Sequence, residues 1–174
     1  MCSSDLNKRR YSECEQFRRR AADLIGTTRP DVVVLASMLN SSVDGPDTAT
    51  RRASFLDGAR STVATLQPLT GKVVVIGDTP NLGRPVLDCL ASYGDDPVAC
   101  ARPRSAAVDA ALLTATSEVV RPVGATFVDP TDWFCTRQAC PVVVNSTIVY
   151  LDDTHVSASY ATQLAGLLAP YLAS

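Results

Sequence analysis

Pro30-Asp31-Val32-Val33-Val34-Leu35-Ala36 and, further along, Thr70-Gly71-Lys72-Val73-Val74-Val75-Ile76-Gly77-Asp78 decide the fold. Each is a short apolar run, rich in β-branched residues and entered through turn residues. Such a run suits a strand buried on both faces of a parallel sheet. Between the two, residues 37–47 read as a polar loop, and Asp47 or Thr48 is placed to cap a helix running to about Gln67. Strands alternating with helices argue for an α/β domain with a mainly parallel sheet.

The same alternation continues outward. Residues 13–25 read as a helix with Phe17, Ala21, Leu24 and Ile25 on one face and Arg18, Arg19 and Arg20 turned largely to solvent, ended by Gly26 and Thr27-Thr28. Residues 77–103 form a long loop rich in Gly, Pro and Asp. Residues 105–119 are Ala- and Leu-rich and read as a helix. Residues 125–128 look like a third strand, followed by a loop through Trp133. Residues 142–144 and 148–150 flank Asn145-Ser146, a tight hairpin. Ser157 caps a last helix with Tyr160, Leu164, Leu167, Leu168 and Tyr171 on one side. In sheets of this kind ligands bind at the carboxyl ends of the strands, which singles out loops 37–47, 77–103 and 129–141.

The chain has 174 residues, enough for one domain at roughly 150 residues per domain. Apolar residues make up 46% and charged residues 20%, which excludes an intrinsically disordered chain. A net charge of -2 gives no reason to expect a nucleic-acid partner. No apolar run approaches the ~18 residues that span a bilayer, and Met1 is followed by no apolar signal region.

Cysteines stand at positions 2, 14, 89, 100, 135 and 140, none in a Cys-x-x-Cys, and there is a single histidine. A structural zinc site is therefore disfavoured. An even count in loop-like settings favours disulfides and an oxidising compartment, against free thiols in a cytosolic protein. Local pairing (Cys2-Cys14, Cys89-Cys100, Cys135-Cys140) is the simplest of the connectivities open to six cysteines. Disulfides without a signal region suggest a piece of a longer exported protein.

The stretch with most chemistry in it is Tyr150-Leu151-Asp152-Asp153-Thr154-His155-Val156-Ser157. An acid three residues before a histidine on a turn can set its carboxylate against one imidazole nitrogen. The carboxylate then fixes the tautomer and stabilises the imidazolium, leaving the other nitrogen as general base for a hydroxyl nucleophile. The plainer reading is a surface turn with an incidental histidine.

These residues carry a resemblance. Cys135-Thr136-Arg137-Gln138-Ala139-Cys140-Pro141-Val142-Val143-Val144, the hairpin, and the Asp152-to-His155 stretch are together similar to the end of an SGNH hydrolase-like domain. More narrowly, they resemble the extracytoplasmic SGNH domain fused to membrane acyltransferases of the acyltransferase 3 family. Arg29 to Ala36 and Lys72 to Pro80, with Cys89 behind, match the same pattern, and Cys2 and Cys14 fit a paired-cysteine region ahead of it.

The resemblance implies a three-layer, SGNH/flavodoxin-like α/β domain over residues 1–174, with a mainly parallel sheet lacking its first strand. It implies His155 as base, Asp152 as its orienting acid, and no cofactor. The expected partners are an acylated glycan or acyl donor and a transmembrane acyltransferase domain in a parent protein, at the extracytoplasmic face of the membrane. The family's nucleophile is a serine in a Gly-Asp-Ser block after the first strand, expected well ahead of where this chain starts. The 174 residues contain no Gly-Asp-Ser, so the isolated chain is expected to be inactive.

Gly77-Asp78-Thr79 offers a substitute hydroxyl, but it falls at the wrong place in the order of blocks and reads as a strand-end turn. Ser37 and Asn40 are the oxyanion-hole candidates, since they follow the strand that the third block should follow. Trp133 is a candidate apolar wall for an acyl or sugar group, or else packs against the neighbouring cysteine loop. The rival reading is a non-catalytic glycan- or partner-binding domain with a degenerate site. No phosphate-binding glycine loop is present for a nucleotide-binding one.

Overall fold

A computed structural model describes residues 12–37, 47–94 and 96–173. In chain order these form α1 (Ser12–Thr28), β1 (Val32–Ala36), α2 (Thr48–Leu66), β2 (Lys72–Ile76), α3 (Val86–Tyr93), β3 (Arg102–Pro103) and α4 (Arg104–Ala107). There follow α5 (Ala110–Val120), β4 (Thr126–Val128), α6 (Thr131–Phe134), β5 (Ala139–Cys140), β6 (Val143–Val144), β7 (Thr147–Ile148) and α7 (Ala158–Leu172). The chain divides into two compact units, one of Met1–Asp78 with Ala111–Val128, the other of Thr79–Ala110 with Asp129–Ala173.

The first unit holds the parallel sheet, in the order β1-β2-β4. Val32 stands opposite Lys72 and Val75 opposite Phe127. The α/β class with a parallel sheet is thus what the chain adopts. Register is set at the strand entries: the Thr70 hydroxyl donates to Pro30 O at 2.6 Å and the Gly71 amide to the same carbonyl at 3.3 Å. A Cβ on Gly71 would stand 2.8 Å from Asp31 O, so only glycine lets the two turns approach this closely.

β2 is buried through Val73, Val74 and Val75. β1 corrects the expectation of burial on both faces. None of its residues is buried and Val34 is 42% exposed, because β1 is the sheet edge among the described residues and lacks the second neighbour that β2 has.

α2 begins where expected: the Asp47 carboxylate accepts from the Thr50 amide at 2.8 Å, a bond that holds its pKa below the ordinary value. α2 buries Phe55, Val63 and Leu66. α1 runs past Gly26 to Thr28, because the Thr27 and Thr28 hydroxyls bond back to Asp23 O and Leu24 O at 2.8 Å instead of breaking the helix. Its apolar spacing is real but none of its residues is buried, and Phe17 is 72% exposed.

The second unit has a core of Leu82, Val86, Phe134, Val142, Val149, Tyr150 and Tyr160 with both described disulfides, Cys89–Cys100 and Cys135–Cys140. Cys2, the expected partner of Cys14, lies outside the described residues. The segment expected as one loop, 77–103, contains α3 and β3. An eight-residue helix is marginal alone, and here burial of Val86 and Cys89 together with the bond to Cys100 supports it.

The helix expected over 105–119 is two helices. Ala107 O accepts the Asn81 amide at 2.8 Å and Val108 is extended, so the chain turns before α5 begins. α6 occupies the expected loop through Trp133. The hairpin forms as read, with Asn145 and Ser146 both at positive φ (47° and 61°) and Val143 opposite Ile148. Ser157 Oγ accepts from the Tyr160 amide at 3.1 Å and caps α7. Only the start of that helix docks: Tyr160 is buried and Leu164 packs on the core, while Leu167 and Tyr171 stay exposed.

Candidate active site

The last strand of the second unit delivers the Asp152–His155 turn. Tyr150 is fully buried, with its ring 5.9 Å from that of Phe134, and pairs antiparallel with Val156. Residues 151–155 are the tip between these two anchors, closed by the Leu151 amide donating to His155 O at 2.8 Å.

Inside the tip, Asp152 organises everything. Its Oδ1 accepts from the Thr154 amide at 2.8 Å and the His155 amide at 2.7 Å, and its Oδ2 lies 2.5 Å from His155 Nδ1. The three-residue spacing works because the same carboxylate caps the turn with one oxygen and meets the imidazole with the other. These bonds hold the Asp152 carboxyl far below the ordinary carboxylate range; the His155 amide is the largest cause, then the Thr154 amide and the His155 ring. Asp152 is therefore an anion at any physiological pH. An anion at Nδ1 favours the tautomer protonated there and leaves the Nε2 lone pair to accept a proton. The His155 side chain is 74% exposed, so that nitrogen is accessible from solvent. Asp153 contributes its backbone: its carbonyl accepts the Leu82 amide at 2.7 Å.

Ser37 directly follows β1 in the first unit and is exposed. Asn40 lies outside the described residues. Trp133 is half-buried against the second unit's core, and its carbonyl accepts the Tyr160 hydroxyl at 2.6 Å. The Thr79 hydroxyl donates to Thr154 O at 3.3 Å, so its proton is directed at a backbone carbonyl. Among the described residues no cluster of His, Cys, Asp or Glu is arranged to hold a metal ion.

The family model for the SGNH domain (fused to AT3 domains) matches residues 2–170. This chain belongs to that family. The SGNH domain described here is also similar in fold to the periplasmic domain of a lipopolysaccharide acetyltransferase from Salmonella ser. Paratyphi A, with a TM-score of 0.68 at 15% identity. The match covers 88% of this chain and 61% of that one, so the chain spans about three-fifths of the solved domain's length. No curated protein sequence matches the chain. No helix among the described residues is long and apolar enough to cross a membrane. Sequence reasoning did not anticipate that residues 79–86 border the Asp152–His155 turn; the Gly, Pro and Asp content of the wider segment 77–103 marked only a loop.

Proposed function

We propose that this SGNH domain serves O-acyl transfer on cell-surface glycans, with His155 as general base and Asp152 as the acid that orients it. The observation that carries the reading is the 2.5 Å contact between Asp152 Oδ2 and His155 Nδ1, at the Asp-x-x-His spacing that the sequence resemblance implies. In the reaction a serine Oγ attacks the acyl carbonyl as His155 Nε2 takes its proton. The tetrahedral intermediate expels the alcohol or carrier, which leaves with that proton. A sugar hydroxyl or water then attacks the acyl-enzyme, giving its proton to His155, and the serine is released. Asp152 stabilises the imidazolium in both halves. Trp133, in the same unit as the pair, is the proposed apolar wall.

The 174 residues hold no Gly-Asp-Ser serine, and Thr79 directs its hydroxyl to Thr154 O. As an isolated chain they are accordingly proposed to have little or no esterase activity, since losing a triad nucleophile costs several orders of magnitude. The working arrangement is proposed to include a transmembrane acyltransferase region, as the family's description indicates, at the extracytoplasmic face.

His155→Ala introduced into the gene as it stands in its genome tests the reading. Loss of surface O-acyl groups, at unchanged protein level, is the expected result. Unchanged acylation rejects the catalytic role and favours the second reading, a glycan- or partner-binding domain. That alternative predicts glycan binding without turnover and insensitive to His155→Ala. A complementary test is hydrolysis of a simple aryl acetate by the purified chain. Robust turnover abolished by His155→Ala overturns the proposed inactivity.

A further inference from the structure

We infer that Thr79 is a positioning residue for the Asp152–His155 pair, holding the turn that carries it through its side-chain hydroxyl. The inference rests on the reading of that pair as base and orienting acid. Its starting point is the backbone of the turn. The three successive carbonyls of Asp152, Asp153 and Thr154 all point to one neighbouring segment and find donors there in reverse order. The Val86 amide donates to Asp152 O at 3.4 Å, the Leu82 amide to Asp153 O at 2.7 Å, and the Thr79 hydroxyl to Thr154 O at 3.3 Å. The turn's amides face the other way: those of Thr154 and His155 converge on Asp152 Oδ1. The two peptide planes that join Asp153 to Thr154 and Thr154 to His155 are thus held at both ends, by Asp152 within and by residues 79–86 from outside.

Of the outer donors only Thr79 uses a side chain, and it holds the carbonyl of the peptide whose amide belongs to His155. That one peptide unit is fixed by the Thr79 hydroxyl at its oxygen and by Asp152 Oδ1 at its nitrogen. Its plane sets the direction in which the His155 side chain leaves the backbone, and so whether Nδ1 meets Oδ2. Residues 79–86 are themselves braced. The Asn81 amide donates to Ala107 O at 2.8 Å, the Gly83 amide to Asn81 Oδ1 at 2.6 Å, and the Arg102 guanidinium to Asn81 O at 3.0 Å. Behind them the Cys89–Cys100 bond secures α3, which supplies the Val86 donor. A rigid second layer of this kind is what holds a catalytic pair within the narrow angular range it needs.

The test compares Thr79→Val, which keeps the branched shape and removes the hydroxyl, with Thr79→Ser, which keeps the hydroxyl. Asp152→Asn serves as the reference in which the pair is broken. Long-range nitrogen–proton NMR correlations of the full chain at alkaline pH report which nitrogen of neutral His155 carries the proton, and circular dichroism reports the fold. The expected result is an Nδ1-protonated ring in the wild type and in Thr79→Ser. In Thr79→Val and Asp152→Asn the ring should shift toward the Nε2-protonated mixture of a free imidazole, with all variants folded. A Thr79→Val ring identical to the wild type, beside a shifted Asp152→Asn ring, overturns the role of Thr79 and leaves the pair intact. A wild-type ring already showing the free mixture removes the pair itself and the inference with it.

Discussion

Asp152 combines a turn cap and a dyad partner in one carboxylate, which makes its ionisation a property of the fold as well as of the site. Its native pKa lies far below the ordinary value because folded donors stabilise the anion. The stability these bonds supply is therefore present in full above the unfolded pKa of about 3.9 and is lost as pH falls through the lower native value. Denaturant titrations of wild type and Asp152→Asn should show a difference that persists from neutral pH down to about pH 5 and is lost only in stronger acid. A difference that vanishes between pH 7 and 6 would assign it to another group. Gly83 is a second single-residue constraint. Its φ is +69° and a Cβ there would meet the Arg102 guanidinium at 2.1 Å. Gly83→Ala should cost about 1–2 kcal/mol from the backbone conformation alone, plus the displacement of Arg102 from Asn81, as measured by chemical denaturation. The Asp-x-x-His pair was legible because its geometry is contained in four residues. The need for glycine at 83 was not, because it comes from a side chain far along the sequence.

At the scale of elements, β1 and β2 carry nearly the same sequence pattern and meet different fates. Val73, Val74 and Val75 are buried between two neighbours, whereas β1 leaves Val34 42% exposed at the sheet edge of the described residues. An exposed apolar edge strand is a template for pairing with another chain. The isolated chain should accordingly self-associate, and Val34→Lys should reduce this in sedimentation velocity while leaving the melting temperature within a few degrees. A monodisperse wild-type monomer would reject the expectation. Elements with their own local signals were readable: the Asp47 and Ser157 caps, the Asn145-Ser146 turn, and β2. α3 and the break between α4 and α5 were not, because a disulfide to Cys100 and a bond from the Asn81 amide to Ala107 O decide them.

On the scale of the whole molecule, the two compact units are stabilised differently. The first rests on the sheet and on the residues that α2 buries. The second has strands of two residues each beyond its bridges and carries two disulfides among its described residues. Closing the Cys89–Cys100 loop should stabilise the second unit by roughly 3 kcal/mol on chain-entropy grounds, and the shorter Cys135–Cys140 loop by about 2 kcal/mol. Replacing Cys89 and Cys100 together by serine should lower the thermal midpoint of the second unit, read from Tyr150 and Tyr160 fluorescence or amide exchange. It should also loosen the Asp152–His155 turn, because α3 supplies one of that turn's outer donors. Unchanged exchange protection at Thr154 and His155 would show that the turn does not depend on α3.

Whatever depends on neighbours a few residues apart could be read from the chain alone. The β-branched runs specify strands, Asp47 and Ser157 start helices, Asn145-Ser146 reverses the chain, and Asp152 reaches His155 across one turn. The motif order around these features also carried the family. Long-range packing settled which strand is central and which is an edge, whether the apolar face of α1 is covered, where the 105–119 helix breaks, and what holds the carbonyls of the Asp152–Thr154 turn. Those outcomes rest on contacts between residues distant along the chain. Burial and hydrogen-bond satisfaction are settled there by the partner that folding brings close, and no local pattern names that partner.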